Sequence, residues 1–239
     1  VSEDKPADTV HLTIDAELQK HLYDATTSIF REHGVTRGAA IVQRVKTGEI
    51  LGIVSIPSFD PNAITTKLLS DANRPLFNRA ISGLYSPGST IKPLYALAGL
   101  KEHIITPSTM VYSAGSIEVP SSVGGPSHIF KDWKTHGWTD LGKAIAWSVD
   151  VYYYALGGGL SAEQTRSSDI DGLGVDRIAK YLKLFGADSK TNIDLPGEIS
   201  GFVPTKEWKK ETRGEPWYLG DTYNISIGQG DLHVSPIWL

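Results

Sequence analysis

Residues 85–93 read Tyr-Ser-Pro-Gly-Ser-Thr-Ile-Lys-Pro, and they open an apolar run that extends to Leu100. A Ser-Pro-Gly turn followed by such a run predicts a buried helix that begins close to Ser89. Residues three apart share one face of a helix, so the Ser89 hydroxyl and the Lys92 amine can meet. The start of a helix leaves backbone N–H groups unpaired, which suits a nucleophile whose product is an oxyanion.

Ser89 and Lys92 together have the chemistry of a nucleophile and its base. A serine hydroxyl is a weak nucleophile until a base removes its proton, and a buried lysine can be that base when its neutral amine is available. A lone Ser-x-x-Lys is more often a capped helix at the surface. Here the lysine is followed by Pro-Leu-Tyr-Ala-Leu-Ala-Gly-Leu, which an exposed helix would not carry, so the sequence favours an active site.

The composition limits the classes of partner and cofactor. The 239 residues carry a net charge of −4 without a long basic run, which argues against a nucleic-acid partner. The absence of cysteine excludes disulfides and thiolate zinc sites. No signal peptide, membrane-spanning apolar run or nucleotide fingerprint occurs in the sequence. We therefore expect no cofactor.

A second helical pattern begins at Asp140 and is interrupted at Ser148-Val149-Asp150 before it resumes. Residues two apart on an unbroken helix point in different directions. We therefore place Ser148 and Asp150 at a bend between two helices, where both side chains can face one cleft. Asp150 also has the simpler interpretation of a cap on the following helix.

The remaining patterns predict further regular elements and one irregular section. They are a strand over 11–14, a helix after Asp15 that buries Leu18, Leu22, Ala25 and Ile29, a hairpin of 38–45 and 49–56, an irregular section over 106–139, helices over 176–185 and 205–210, and apolar alternation over 225–230 that ends in a glycine loop. The loop, Gly228-Gln229-Gly230, does not lie between a strand and a helix as a phosphate cradle would. We interpret it as a tight loop beside the cleft.

A series of short motifs, each weak alone, is specific in its order along the chain. They are Leu12-Thr-Ile-Asp15 with Gln19, Thr47-Gly-Glu-Ile-Leu51, Phe59-Asp-Pro-Asn62, Asn78-Arg-Ala80, Pro87-Gly-Ser-Thr-Ile-Lys-Pro93, Phe130-Lys-Asp-Trp-Lys134, Ser148-Val-Asp150 followed by three tyrosines, Ile193-Asp-Leu-Pro-Gly-Glu198 and Asn224-Ile-Ser-Ile-Gly-Gln-Gly230. From His11 to its last residue the chain resembles the transpeptidase domain of a class B penicillin-binding protein, most like the cell-elongation type.

The resemblance implies an α/β (α+β) fold of the penicillin-binding protein and serine β-lactamase kind. This fold has a mainly antiparallel sheet with an all-helical subdomain, here lacking the C-terminal strands. Residues 1–10 would be a tail or the end of a linker, and residues 11–239 the transpeptidase domain. The domain would lie outside the cytoplasm, on the periplasmic face, in a parent protein anchored in the cytoplasmic membrane by a removed N-terminal segment.

The resemblance also implies a reaction and a role for each site residue. Ser89 would be the acylated nucleophile and Lys92 its general base in peptidoglycan D,D-transpeptidation, which cross-links stem peptides. Ser148 would relay a proton to the leaving amine. Asp150 fills a place where many relatives carry Asn and elongation-type members more often carry Asp. The implied partners are peptidoglycan stem peptides, β-lactam antibiotics and cell-wall elongation proteins.

The third motif of the family, a Lys-Thr/Ser-Gly strand after the Gly-Gln-Gly segment, is the main departure. The chain ends before it, so the resemblance implies a domain truncated before that strand and impaired in activity, because losing one oxyanion donor costs about 100- to 1000-fold in rate. Lys46-Thr47-Gly48 precedes Ser89 within the predicted hairpin, and we interpret it as a solvated turn.

Two other functions and one other site remain open. A serine β-lactamase or a penicilloyl-accepting sensor uses the same Ser-x-x-Lys, although the Pro-Gly before Ser89 and the segments over 130–230 disfavour it. A catalytically incomplete scaffold in cell-wall assembly is the second. His128, Asp132 and His136 are spaced by four, as metal ligands on a helix would be, but their Gly- and Pro-rich surroundings argue against one helix. Some elongation-type relatives are thought to bind zinc nearby through a cysteine, which this chain lacks, and we predict no metal site.

Overall fold

Two units make up the chain, one ending at Gly83 and the other spanning Leu84–Leu239. The computed structural model describes residues 9–120, 124 and 126–239. Most of the tail predicted over residues 1–10 therefore lies outside the described residues. Thr9 and Val10, its last two residues, are exposed and have no regular structure.

From residue 9 onward, where it is described, the first unit contains a two-stranded antiparallel sheet and three helices. The elements are α1 (Ala16–Glu32), β1 (Gly38–Gln43), β2 (Ile50–Ile56), α2 (Thr66–Leu69) and α3 (Arg79–Ser82). The two strands pair from Gly38 opposite Ile56 to Gln43 opposite Ile50, which confirms the predicted hairpin. Between the strands, Lys46-Thr47-Gly48 forms an exposed turn in which the amide of Gly48 donates to Arg44 O, as the sequence predicts.

The start of α1 is fixed by Asp15, whose carboxylate accepts a hydrogen bond from the amide of Leu18 at 3.0 Å. One turn later the Gln19 side chain donates to Ile53 O at 2.9 Å and accepts from Ile53 N at 2.8 Å. Gln19 therefore pairs with β2 as a neighbouring strand would. This contact explains why the Leu-Thr-Ile-Asp motif includes the glutamine.

The strand predicted over residues 11–14 is wrong. One side-chain hydrogen bond ties this segment to β2, from Thr13 Oγ1 to Ile50 O at 2.6 Å, and the next residue adds one backbone bond, from the amide of Asp15 to Leu51 O at 3.0 Å. A strand needs a ladder of backbone pairs, and one backbone bond at the end of the segment does not make one.

The buried face of α1 also differs from the predicted one. Leu18 and Leu22 are partly buried, but Ala25 and Ile29 are exposed, Ile29 by 54%. The buried row continues in steps of four through Thr26 to Phe30, because the Phe30 ring covers Gly38 of β1, where an added Cβ would overlap Phe30 Cζ and lie 2.7 Å from Phe30 Cε2.

The second unit is mainly helical. Its elements are a 3₁₀ turn (Gly88–Ile91), α4 (Lys92–Lys101), β3 (Val111–Ser113), β4 (Ser116–Val119), β5 (His128–Lys131), β6 (Gly137–Thr139), α5 (Leu141–Ala146), α6 (Asp150–Gly158), α7 (Ala162–Thr165), α8 (Gly174–Leu184), α9 (Lys206–Arg213) and α10 (Leu219–Ser226). Helices α8 and α9 confirm the helices predicted over 176–185 and 205–210 with shifted ends.

Helix α6 is the centre of the second unit. Every residue from Val151 to Gly157 is buried, and α4, α8 and α10 pack around it. Two glycines allow this close packing. An added Cβ on Gly99 of α4 would lie 2.5 Å from the Leu156 side chain, and one on Gly157 would overlap the Ser226 hydroxyl of α10 and lie 2.6 Å from Ser226 Cβ.

Two segments that the sequence analysis assigned differently are regular in the structure. In its described residues, the section over 106–139 contains four short strands, in which β3 pairs with β6 and β4 with β5. The alternation over 225–230 is wrong at its start, because Ile225 and Ser226 end α10. Its apolar residues, Ile225 and Ile227, are buried in the same hydrophobic core as α6 and not in a sheet.

The predicted fold class is confirmed, since helices combine with strand pairs that are all antiparallel among the described residues. Within those same ranges, no helix has both the length and the apolar character needed to cross a bilayer.

Candidate active site

The stretch over residues 85–93 forms the predicted helix start. The 3₁₀ turn at Gly88–Ile91 runs directly into α4 at Lys92, and Pro93 occupies the first turn of α4, where it costs little. Gly88 has φ 58°, which is why a glycine precedes the serine. Ser89 is exposed at the beginning of this helical run.

The glycine loop after α10 braces this turn. The amide of Gly88 donates to Gly228 O at 2.8 Å, and Gly228 itself has φ 72°. A Cβ on Gly228 would overlap Gly88 O and lie 2.6 Å from Gly88 N. A second link, between Tyr85 and Val234, has two backbone hydrogen bonds of 2.9 Å. The loop therefore lies beside the Ser89 turn, as the sequence analysis predicts.

Lys92 is almost completely buried, with 2% of its surface exposed. Its ammonium donates three hydrogen bonds, to Ser148 O at 2.9 Å, Ser148 Oγ at 3.0 Å and Asp150 Oδ1 at 2.5 Å. The Tyr153 ring lies 5.2 Å from Lys92 Nζ, in the range of a cation–π contact. The sequence signalled Lys92, Ser148 and Asp150, but not Tyr153.

The bend predicted between two helices is present. Helix α5 ends at Ala146 and α6 begins at Asp150, so the three residues between them turn the chain. Ser148 has φ 53°, a left-handed conformation that costs a residue with a Cβ about 1–2 kcal/mol. Such strain persists only where surrounding contacts fix it, and here it directs both Ser148 O and Ser148 Oγ at Lys92.

Asp150 is the first residue of α6 and does not cap it through its own side chain. Its side chain is 19% exposed. Burial raises the pKa of the Asp150 carboxyl, and the adjacent Lys92 ammonium opposes this shift without cancelling it. Asp150 is therefore a better proton acceptor than an ordinary aspartate.

The structure joins three of the four predicted site residues by hydrogen bonds. Ser89 stands one turn before Lys92 in the same helical run, but across the described ranges its hydroxyl has no hydrogen-bond partner. Catalytic hydrogen bonds are often absent or long before substrate binds. The arrangement offers an exposed alcohol next to a buried lysine that is paired with a second hydroxyl and a carboxylate.

His128, Asp132 and His136 do not come together on one helix. His128 is an exposed residue of β5, whereas Asp132 and His136 are a buried pair in which His136 Nε2 lies 3.4 Å from Asp132 Oδ1. In the described part of the chain no group of three such side chains is placed to hold a metal ion.

One family of known domains, described as "Penicillin binding protein transpeptidase domain", matches residues 38–239. Among curated proteins, the chain is 39% identical over 213 residues to the peptidoglycan D,D-transpeptidase MrdA of Acinetobacter baumannii, covering 85% of this chain and 29% of that protein. It is 34% identical over 238 residues to the protein of the same name from Escherichia coli K12, covering 95% and 34%. The chain thus spans about a third of the length of these curated relatives.

Two solved structures show the same fold. The chain superposes on Pseudomonas aeruginosa PBP2 in complex with WCK 5153 with a TM-score of 0.77, at 35% identity, covering 95% of this chain and 48% of the other. It superposes on PBP2 in a complex with MreC from Helicobacter pylori with a TM-score of 0.75, at 34% identity, covering 92% and 39%.

Proposed function

The chain belongs to the penicillin-binding protein transpeptidase family, and on that premise we propose that the protein carrying it is a peptidoglycan D,D-transpeptidase of the cell-elongation type. The relatives named MrdA and the PBP2 structures support the type. The observation that carries the proposal is the hydrogen-bonded group of Lys92, Ser148 and Asp150. Lys92 of this group follows the exposed Ser89 by one helical turn.

In the proposed reaction Ser89 Oγ attacks the carbonyl carbon of the penultimate D-Ala of a stem peptide. Lys92 takes the hydroxyl proton and passes it to Ser148, which gives its own proton to the departing amine as the C–N bond to the terminal D-Ala breaks. An ester on Ser89 remains. The amine of a neighbouring stem peptide then attacks that ester and loses a proton, which Lys92 returns to Ser89 Oγ as the ester bond breaks and the cross-link forms. Serine β-lactam adducts arise by the same attack on the lactam carbonyl.

Lys92 must lose a proton before it can act as a base. Asp150 is suited to receive it, because the two groups share a hydrogen bond of 2.5 Å and burial raises the pKa of Asp150. Transfer along that bond turns a buried ion pair into two neutral groups, which removes the cost of keeping two charges away from water. The neutral amine can then accept the proton of Ser89.

Full activity on this proposal also depends on a Lys-Thr/Ser-Gly strand downstream of Gly230, which supplies a cation for the substrate carboxylate and an oxyanion donor. Lys46 does not take that place, because it lies in the exposed turn between β1 and β2. We propose 11–239 as the part of the transpeptidase domain that precedes this strand.

The proposed substrates are peptidoglycan stem peptides, with β-lactam antibiotics as inhibitors and no nucleic acid as a partner. We propose that the protein works outside the cytoplasm, anchored to the cytoplasmic membrane by a segment before this chain. Cell-wall elongation proteins are its proposed assembly partners, in line with the solved complex of a similar PBP2 with MreC.

The test is labelling of the full-length protein with a fluorescent penicillin. We expect one adduct on Ser89, found by mass spectrometry and stable for hours, and none in a folded Ser89→Ala variant. Lys92→Ala is expected to prevent acylation at neutral pH, whereas Lys46→Ala, a matched loss of one lysine charge, should label normally. Labelling that survives Ser89→Ala would refute the nucleophile, and release of the adduct within seconds would favour a β-lactamase.

A further inference from the structure

We propose that Asp132, Trp133 and His136 form a clamp that positions Ser148 and Asp150, with Asp132 as its main positioning residue. The clamp is the loop between β5 and β6. This inference rests on the proposed function, because the position of the bend matters for acylation only if Ser148 and Asp150 take part in it. None of the three clamp residues is proposed to touch the substrate.

The first contact is a helix cap supplied from outside the helix. Val149, the residue before α6, makes no capping hydrogen bond with its side chain. Instead, Asp132 Oδ2 accepts a hydrogen bond from the amide of Val151 at 3.0 Å. A carboxylate at a helix start satisfies an unpaired N–H and interacts favourably with the positive end of the helix dipole. The first turn of α6 is thereby tied to Asp132.

The second contact holds the other side of the bend. Trp133 Nε1 donates to Trp147 O at 3.2 Å. The His136 ring lies between the two tryptophans, with its centroid 4.9 Å from that of Trp133 and 6.3 Å from that of Trp147. Trp147 precedes Ser148-Val149-Asp150 and Val151 follows it, so the clamp fixes both ends of the bend.

The clamp is itself well anchored. The Asp132 side chain is fully buried and accepts hydrogen bonds from Ser113 Oγ at 3.3 Å and from the amide of Trp133 at 2.8 Å. The bend needs such support, because Ser148 is held at φ 53° and would relax to a commoner conformation without it. Relaxation would withdraw the two Ser148 oxygens from Lys92.

The experiment measures penicillin acylation of the full-length protein by stopped flow, separating the binding constant, the acylation rate constant and the fraction of protein that reacts. Asp132→Ala is expected to lower the acylation rate constant about 100-fold, as misplacement of a reacting group can do, with binding little changed. Asp132→Asn keeps an acceptor oxygen for Val151 and should recover most of the rate. The control is Asp140→Ala, which removes a carboxylate cap from α5 without touching the bend. There Asp140 Oδ1 accepts a hydrogen bond from the amide of Lys143 at 2.8 Å.

The readouts separate positioning from loss of stability, because unfolding lowers the reacting fraction and leaves the rate constant of the folded protein unchanged. A rate constant for Asp132→Ala equal to that of wild type or of Asp140→Ala would overturn the inference. If Asp132→Ala does not fold, Trp133→Phe takes its place, because it removes the hydrogen bond to Trp147 from an exposed ring. This variant must be acylated more slowly than wild type, and an equal rate constant would overturn the inference. Wild type that is not labelled at Ser89 would overturn the proposed function as well.

Discussion

Replacing Gly228 by alanine tests the contact that sets the glycine loop against the Ser89 turn. Gly228 has φ 72°, and a Cβ there would overlap Gly88 O and lie 2.6 Å from Gly88 N. Both atoms belong to the backbone, so no side chain can rotate to make room. We expect the loop to move away from Gly88 and to lose the hydrogen bond of 2.8 Å between Gly88 N and Gly228 O.

The magnitude follows from two costs. A left-handed backbone costs a residue with a Cβ about 1–2 kcal/mol, and forcing an extra methyl into a packed contact adds about 1–3 kcal/mol. Gly228→Ala should therefore lower the free energy of unfolding by about 2–5 kcal/mol. Gly230→Ala is the matched control, because Gly230 has φ 68° but an added Cβ would lie no closer than 3.2 Å to Asn224 Cβ. It should show only the first cost, about 1–2 kcal/mol.

Urea unfolding of the chain, followed by tryptophan fluorescence, measures the difference between the two variants. Penicillin acylation of the full-length protein is the second assay, and Gly228→Ala should react more slowly than Gly230→Ala because its loop displaces the Ser89 turn. Equal losses of free energy in the two variants would refute the reasoning, since the contact with Gly88 would then contribute nothing.

Three further changes test other contacts. Glu198→Ala should lower the free energy of unfolding, measured in urea, by about 2–3 kcal/mol, because the Glu198 carboxylate accepts hydrogen bonds of 2.5–3.1 Å from residues 191–192. The acylation rate should stay unchanged, and a slower acylation would contradict a purely structural role. Tyr153→Phe should leave the free energy of unfolding unchanged or raise it by about 1 kcal/mol, since within the described chain the buried Tyr153 hydroxyl has no hydrogen-bond partner. A clear decrease in the free energy of unfolding would mean that the hydroxyl does have a partner. Burial raises the pKa of Asp150 in the folded state, so its contribution to stability is present at pH values below the ordinary aspartate pKa and is lost as the pH rises through the raised value. The free energy of unfolding, measured against pH, should therefore fall over that window more in wild type than in Asp150→Asn. Parallel curves for the two proteins would count against the raised pKa.

The features that the sequence predicted correctly depend on neighbouring residues. The apolar run after Ser89 is continuous, so the helix and its start follow from local pattern. The hairpin around Gly48 and the bend at Ser148 are equally local, because a turn glycine and an interrupted helical stripe are visible within about ten residues.

The features that the sequence missed depend on contacts between distant segments. Asp132 is 19 residues from Val151, and nothing in either segment alone indicates that one caps the other. The buried face of α1 ends at Phe30 because its ring packs over Gly38 of β1. The helical period allows steps of three or four residues, so it does not decide whether Ile29 or Phe30 is the buried residue. Ile225 alternates with polar neighbours as a strand residue would, but it belongs to α10, which packs closely against α6.

The close packing at Gly157 has a consequence for the position of the segment that carries Ser89. Asp150, at one end of α6, bonds to Lys92, whereas Gly157, near the other end, meets Ser226, two residues before the glycine that touches Gly88. The length of helix α6 thus sets the separation between the two supports of the segment that carries Ser89. A larger residue at position 157 would push these supports apart from within the core, so on the proposed function the acylation of Ser89 can change through a buried residue that lies at the far end of that helix.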